Sequence, residues 1–149
     1  FNKAKVIVEL GAGDGVVTKH ILDAMKPDAV LFAFELNPKF CAQMREINDP
    51  RLIVVEDDAE KLTDYLKEHG YDQADYIVSA IPFTIIPEEI TKKIVNTCKD
   101  TLKDKGLYIQ IHYSLIPKKI YQNIFGNIDV NFVPLNVPPA WVMVCEKRS

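Results

Sequence analysis

Several features that would mark a membrane, disulfide-bonded or zinc-binding protein are missing from the sequence. No apolar run is as long as a membrane-spanning helix, which needs about 18 residues. The three cysteines, Cys41, Cys98 and Cys145, stand far apart and form no CxxC pair. This spacing and the odd count predict reduced thiols, with neither a disulfide framework nor a metal site. We therefore expect a cytoplasmic protein.

The sequence also lacks a net positive charge. The net charge is −3, whereas a protein that binds nucleic acid usually presents a basic face to the phosphates. Nucleic acid is therefore a disfavoured partner. The 149 residues, 48% of them apolar, suit one domain over 1–149 with a core of its own.

The sequence does contain short apolar runs that alternate with segments of helical spacing. The predicted strands are 6–10, 29–34, 52–55, 76–81, 107–113, 130–133 and 141–146, and the predicted helices are 15–25, 38–47, 59–69, 87–103 and 118–125. Such alternation indicates parallel βαβ units. The last two strands have a connection too short for a parallel crossover, so they should pair antiparallel. We predict a doubly wound, Rossmann-like α/β fold with a seven-stranded, mostly parallel sheet and an antiparallel last strand.

The first strand leads into the segment 9–15, which reads ELGAGDG and includes what we call the glycine loop, residues 11–15. A dinucleotide loop would read GxGxxG, but here the third glycine comes one residue early and Val16 follows it. A phosphate-binding P-loop would need a lysine, which is also absent. The carboxylates of Glu9 and Asp14 would repel a pyrophosphate but suit a ligand with an ammonium group. S-adenosylmethionine is such a ligand.

Acidic residues also follow the second and third strands. In a doubly wound sheet the ligand lies beyond the carboxyl ends of the strands, where Glu35 and Asp58 are placed. Glu35 can accept both hydroxyls of a ribose, and Asp58 can accept from an adenine amino group. The alternatives are a solvated acid at the strand end for Glu35, and a helix N-cap for Asp57 or Asp58.

The segment after the fourth strand, residues 79–83, reads SAIPF and is named the exit segment below. Backbone carbonyls held rigid by Pro82 can orient an amine for methyl transfer, which depends mainly on positioning. Phe83 could stack on a flat base or on a methylated ammonium, or could be a core residue at a tight strand exit. His112 and Tyr113 are weaker substrate candidates, and Trp141 favours packing.

Together, the glycine loop, Glu35, the Asp58-Ala59 pair and the exit segment resemble the class I S-adenosylmethionine-dependent methyltransferases over nearly the whole chain. The resemblance implies that Gly11 and Gly13 lie against the methionine end of the cofactor. It also implies Glu35 at the ribose and Asp58 at the adenine amine. The expected cofactor-binding residues are Glu9, Gly11, Ala12, Gly13, Gly15, Glu35, Leu36, Asp58, Ala59 and Ser79. The expected catalytic residues are Ser79, Ala80, Ile81, Pro82 and Phe83.

Within that superfamily, the exit segment and the motif at 135–140 most resemble bacterial phospholipid N-methyltransferases, and next the rRNA adenine N6-dimethyltransferases. The adenine enzymes carry an asparagine where this chain has Ala80, which disfavours adenine as the substrate. The resemblance therefore implies an amine-bearing lipid, such as phosphatidylethanolamine, or a small amine. In the phospholipid enzymes a segment ahead of the first strand contacts the membrane, so peripheral membrane association is expected through such a segment. A non-catalytic cofactor-binding module and an NAD-dependent dehydrogenase are the remaining alternatives.

Overall fold

The structure, a computed structural model, describes residues 5–112, 118–133 and 140–148. Its strands are β1 (Val6–Leu10), β2 (Val30–Phe34), β3 (Leu52–Val55), β4 (Ala74–Ser79), β5 (Leu102–His112), β6 (Asp129–Val133) and β7 (Ala140–Glu146). Its α-helices are α1 (Val16–Ala24), α2 (Pro38–Arg45), α3 (Leu62–Glu68), α4 (Glu88–Thr101) and α5 (Lys118–Phe125). Short 3-10 turns cover Ala59–Lys61 and Phe83–Ile85. Tyr113 and residues 135–139 of the C-terminal motif lie outside the described residues.

The strands form one seven-stranded sheet in the order β3-β2-β1-β4-β5-β7-β6. Strands β1 to β5 pair in parallel, and β7 pairs antiparallel with both β5 and β6. This topology confirms the predicted fold. The strand order reverses at the central β1–β4 pair, so the ligand site of a doubly wound sheet is expected at the carboxyl ends of these two strands.

The central strand β1 is buried along its whole length. Val8 and Leu10 belong to the core that includes side chains of α3, α4 and α5, whereas Ile7 belongs to the core on the α1 side. This alternation follows from the period of two along a strand. Within the described residues, no helix is long and apolar enough to cross a membrane.

The boundary between α4 and β5 differs from the prediction. The helix ends at Thr101 rather than at 103, and β5 starts at Leu102 rather than at 107. Between these positions the β4–β5 register shifts, and Lys105 adopts a positive φ of 67°. Strand β4 likewise ends at Ser79, two residues earlier than predicted, which leaves Ala80 and Ile81 free to form the wall of a cavity.

Candidate functional site

The glycine loop turns sharply because its three glycines adopt left-handed backbone angles. The φ values are 69° at Gly11, 61° at Gly13 and 90° at Gly15, a region that other residues enter at a cost. The N–H groups of Gly11 and Ala12 both donate to the Phe34 carbonyl oxygen, at 2.9 and 3.1 Å. These bonds hold the start of the loop at the end of β2.

Glu35, directly after β2, has both carboxylate oxygens held by backbone donors. Its Oε1 accepts from the Gly13 N–H at 2.8 Å, and its Oε2 accepts from the Asn37 N–H at 2.9 Å. Each carboxylate oxygen has a further lone pair, so these bonds leave acceptor capacity for a ligand. The loop and the acid thus orient each other, and the carboxylate is positioned before any ligand arrives.

The two aspartates after β3 have separate roles. Asp58 Oδ1 accepts from the Glu60 N–H at 2.9 Å, so Asp58 is the N-cap of the 3-10 turn, as one alternative predicted. Asp57 accepts from the Tyr65 hydroxyl at 2.6 Å and from the Asp58 N–H at 2.7 Å. The Tyr65 hydrogen bond lowers the pKa of Asp57. Both aspartates line the same cavity as Glu35.

Glu9 is buried beneath the glycine loop rather than exposed at its mouth. Only 2% of the residue is exposed, and its Oε1 accepts from the Thr18 hydroxyl at 2.5 Å. Burial raises the pKa of Glu9 to about 7; the Thr18 hydrogen bond opposes this rise and the nearby Glu35 charge adds to it. The position of Glu9 suits support of the loop from below.

A cavity of about 310 Å³ opens at the carboxyl ends of β1, β2, β3 and β4. It is lined by Gly11, Phe34, Glu35, Leu36, Asp57, Asp58, Ala59, Ala80, Ile81, Pro82, Ile86, Ile90 and Ile94. The carboxylates come from the ends of β2 and β3, whereas the isoleucines come from the exit segment and the start of α4. The cavity therefore has a polar half and an apolar half.

Most of the predicted site residues meet at this cavity, but some do not. Gly11, Glu35, Leu36, Asp58 and Ala59 line it, as do Ala80, Ile81 and Pro82 of the exit segment. The lining does not include Glu9, Ala12, Gly13, Gly15, Ser79 or Phe83. Of these, Gly13 still reaches the site through its bond to Glu35, and Ser79 is fully buried behind the wall.

Inside the exit segment, the backbone carbonyls differ in their availability. The Ile81 carbonyl oxygen accepts from the Phe83 N–H at 2.9 Å and from Gln110 Nε2 at 3.1 Å, so both of its lone pairs are in use. Ala80 is a lining residue of the cavity, and among the described residues none donates a hydrogen bond to its carbonyl. The Pro82 carbonyl, also of a lining residue, accepts one bond among the described residues, from the Ile85 N–H at 3.1 Å. The expectation that the carbonyls of this segment orient an amine therefore narrows to Ala80 and Pro82.

Phe83 lies in the core, in agreement with the alternative interpretation of this residue. It is 4% exposed, and its ring centroid lies 6.4 Å from that of His112 and 6.2 Å from that of Tyr121. His112 Nε2 lies 2.5 Å from the Tyr121 hydroxyl, and burial lowers the pKa of His112 to about 4. None of these three rings belongs to the cavity lining. This aromatic group packs behind the exit segment.

Five residues that form the cavity or support its wall were not predicted from the sequence: Phe34, Ile86, Ile90, Ile94 and Gln110. Ile86, Ile90 and Ile94 follow a spacing of four residues, which places them on one side of the chain from the turn into α4. The spacing was the signal that the sequence offered, and the structure adds that Ile90 is 43% exposed where a helix facing only the core would bury it. Gln110 does not line the cavity, and its contact with Ile81 exists only through the pairing of β4 with β5.

The residues of this cavity fit S-adenosylmethionine. Carboxylates at the ends of β2 and β3 can accept from the ribose hydroxyls and the adenine amine, and Gly11 lets the backbone approach closely. Among the described residues, the lining contains no lysine or arginine that would bind a phosphate. The residues that would hold this cofactor are thus Glu35, Asp58 and the glycine loop, and the polar half of the cavity is called the cofactor half below.

Comparison with known proteins gives the same assignment. The family model described as "Methyltransferase domain" matches residues 7–106. Ornithine lipid N-methyltransferase of Singulisphaera acidiphila is 34% identical over 149 residues, covering 98% of this chain and 78% of that protein.

Solved methyltransferase structures share the fold at low sequence identity. N-methyltransferase NodS from Bradyrhizobium japonicum is 9% identical, with a TM-score of 0.78 over 99% of this chain and 88% of that one. Fibrillarin from Aeropyrum pernix, solved with bound S-adenosyl-L-methionine, is 15% identical, with a TM-score of 0.76 over 97% and 67%. A Thermus thermophilus 16S rRNA N2 G1207 methyltransferase is 21% identical, with a TM-score of 0.73 over 99% of this chain but only 38% of that protein. By its glycine loop, its sheet topology and its matched family, the chain belongs to the class I S-adenosylmethionine-dependent methyltransferases.

Proposed function

We propose that this methyltransferase transfers a methyl group to the amine of a lipid head group. The observation that carries the proposal is the 34% identity to an ornithine lipid N-methyltransferase over 98% of this chain. Ornithine lipid and phosphatidylethanolamine both present a primary amine. Both are therefore acceptors to test.

The apolar half of the cavity, called the acceptor half below, supports an acceptor with hydrocarbon close to its amine. Ile86, Ile90 and Ile94 line this half, and Ile85 beside it is 79% exposed. Apolar side chains around a reacting amine exclude water, and they stabilise contacts with the neighbouring hydrocarbon of a lipid. An adenine base would instead require polar partners for its ring edge, and the position where adenine enzymes carry an asparagine is Ala80 here.

In the proposed reaction the protein mainly binds and orients. When bound, S-adenosylmethionine supplies an electrophilic methyl group on a sulfonium. Glu35 and Asp58 hold the nucleoside end, and the Ala80 carbonyl accepts a hydrogen bond from the acceptor N–H, so that the nitrogen lone pair points at the methyl carbon. With the cofactor bound, the N–C bond would form as the S–C bond breaks, sulfur would keep the electron pair, and the amine proton would leave to solvent. Alignment of this kind can supply about 7–11 kcal/mol of the barrier.

The test is a methyl-transfer assay with S-adenosylmethionine in detergent micelles that contain one lipid at a time. We expect methylated product by mass spectrometry with ornithine lipid or phosphatidylethanolamine, and none with phosphatidylcholine, whose nitrogen is fully methylated. A matched arm offers an adenine-containing RNA hairpin. Methylation of the RNA with no methylation of either lipid would overturn the proposal in favour of an RNA adenine enzyme. The same assay with the lipid presented in vesicles instead of micelles tests the expected peripheral association with a membrane.

A further inference from the structure

We propose that Gln110 is a positioning residue of the acceptor site, acting through the Ile81 carbonyl. Gln110 lies in β5 and is fully buried, outside the cavity lining. Its Nε2 donates to the Ile81 carbonyl oxygen at 3.1 Å and to the Ile111 carbonyl oxygen at 3.3 Å. The role of Ile81 and its neighbours at an acceptor amine rests on the proposed function.

The orientation of the Gln110 amide follows from its partners. The two carbonyl oxygens can only accept, so the NH₂ group of Gln110 must face them and its Oε1 must face the other way. There the Tyr108 hydroxyl donates to Oε1 at 2.5 Å. Tyr108 is also fully buried, so water cannot replace either bond. Tyr108 fixes Gln110, and Gln110 fixes Ile81.

Ile81 is the point where this network meets both halves of the site. A Cβ added to Gly11 would lie 3.1 Å from the backbone nitrogen of Ile81 and 3.1 Å from its Cγ1, so the two segments are already in close contact. The Ala80 N–H donates to the Leu10 carbonyl at 3.0 Å, directly before the glycine loop. Gln110 therefore sets the position of the cavity wall that carries the Ala80 carbonyl relative to the loop that holds the cofactor.

The Gln110 amide also explains which carbonyl of the exit segment is available. With the Phe83 N–H, Gln110 saturates the Ile81 carbonyl and leaves the carbonyls of Ala80 and Pro82 as acceptors for a substrate amine, of which only Ala80 accepts no bond among the described residues. Loss of the Gln110 donor would free a lone pair on Ile81 and release the segment from β5. The expected result is slower transfer from a misaligned amine, with the cofactor half of the cavity nearly intact.

The experiment compares Gln110→Met, which keeps the length of the side chain but not its hydrogen bonds, with Tyr108→Phe and a control. The control is Thr101→Val, because Thr101 is buried and hydrogen-bonded to Thr97 at the far end of α4 from the cavity. With ornithine lipid as acceptor, we expect kcat to fall roughly 10- to 100-fold in Gln110→Met, since a displacement of about 1 Å can cost about 100-fold. Tyr108→Phe keeps the donor to Ile81 and should show a smaller fall. The KM for S-adenosylmethionine should change much less than kcat in both variants.

A second readout needs no acceptor. The Phe83 N–H, bonded to the Ile81 carbonyl, should exchange with deuterium roughly 10-fold faster in Gln110→Met and at the wild-type rate in Thr101→Val. If Gln110→Met does not fold, Tyr108→Phe carries the same comparison. If Gln110→Met shows the exchange rate and the kcat of the control variant, the inference is overturned, whereas the proposed lipid methylation is unaffected. If the wild type methylates no lipid, the proposed function fails, and exchange together with S-adenosylhomocysteine affinity decides the role of Gln110 by itself.

Discussion

The two halves of the cavity are built in different ways. In the cofactor half, Glu35 and Asp58 lie within a few residues of a strand end, and backbone N–H groups of the adjoining turns hold their carboxylates. In the acceptor half, the Ile81 carbonyl is held by Gln110 from a neighbouring strand, 29 residues away in sequence. The first half depends on local turns, whereas the second depends on how β4, β5 and α5 pack. Changes in the two halves should therefore have different consequences.

The largest expected effect is on the cofactor half. Glu35→Ala should weaken S-adenosylhomocysteine binding by about 100-fold or more, because hydrogen bonds to a charged group contribute about 1.5–3 kcal/mol each and two are lost. Isothermal titration calorimetry measures the change. Glu56→Ala is the control, since Glu56 is exposed, forms an ion pair with Arg45 at the surface and does not line the cavity. Equal affinity for the two variants would contradict the role of Glu35.

Glu9 should make the stability of the loop region depend on pH. Folding raises the pKa of Glu9 from 4.5 to about 7, so the folded state keeps a proton that the unfolded state loses. The stabilisation is complete below about pH 4.5 and is lost as the pH rises through about 7, amounting to about 3 kcal/mol. Urea unfolding across this range should show wild type losing stability relative to Glu9→Gln. Parallel pH profiles for the two proteins would refute this, and Glu46→Gln, at an exposed position, is the control.

Two glycines of the same loop differ in whether another segment packs against them. Gly11→Ala and Gly13→Ala both place a side chain at a left-handed φ, but only at Gly11 would the new Cβ meet another segment, at 3.1 Å from the Ile81 backbone. Gly11→Ala should therefore destabilise the protein by roughly 1–3 kcal/mol more than Gly13→Ala. Chemical denaturation of both variants measures the difference. Equal losses would mean that the loop and the exit segment can move apart freely.

The smallest expected effect concerns the rim. Leu36 lines the cavity yet is 66% exposed, so Leu36→Ala should change the free energy of unfolding by no more than about 0.5 kcal/mol. S-adenosylhomocysteine would cover this side chain, and its loss should weaken binding about 5-fold, or near 1 kcal/mol. Val16→Ala is the matched control, because Val16 is 55% exposed but does not line the cavity. A similar affinity for both variants would remove Leu36 from the site.

The sequence signals for the cofactor half are short-range, so they can be recognised without the fold. The glycines stand at alternate positions after one strand, and the acids stand at the ends of the next two strands. The topology alone brings these strand ends together, and in the structure Gly11, Glu35 and Asp58 line one cavity. The interpretation of Phe83 could not be settled in this way. Its ring packs against His112 and Tyr121, which only the pairing of β4 with β5 and the packing of α5 bring near.

One pattern in β5 could have indicated the network behind the exit segment. Tyr108, Gln110 and His112 occupy alternate positions, so they share one face of the strand, and all three are buried. Polar groups that are buried on one face require partners, and this requirement predicts a hydrogen-bonded layer there. The identity of the partners, Ile81 and Tyr121, still depends on the three-dimensional fold.

The burial of the cysteines has a practical consequence for spectroscopy. Cys41, Cys98 and Cys145 are the only cysteines in the chain, and all are free and buried. Burial raises the pKa of each thiol, to about 12 for Cys145, so the native protein presents almost no thiolate to a maleimide dye. A single cysteine introduced at Leu36 would then take the label alone. Its fluorescence would report ligand arrival at the rim of the cavity without removal of any native cysteine.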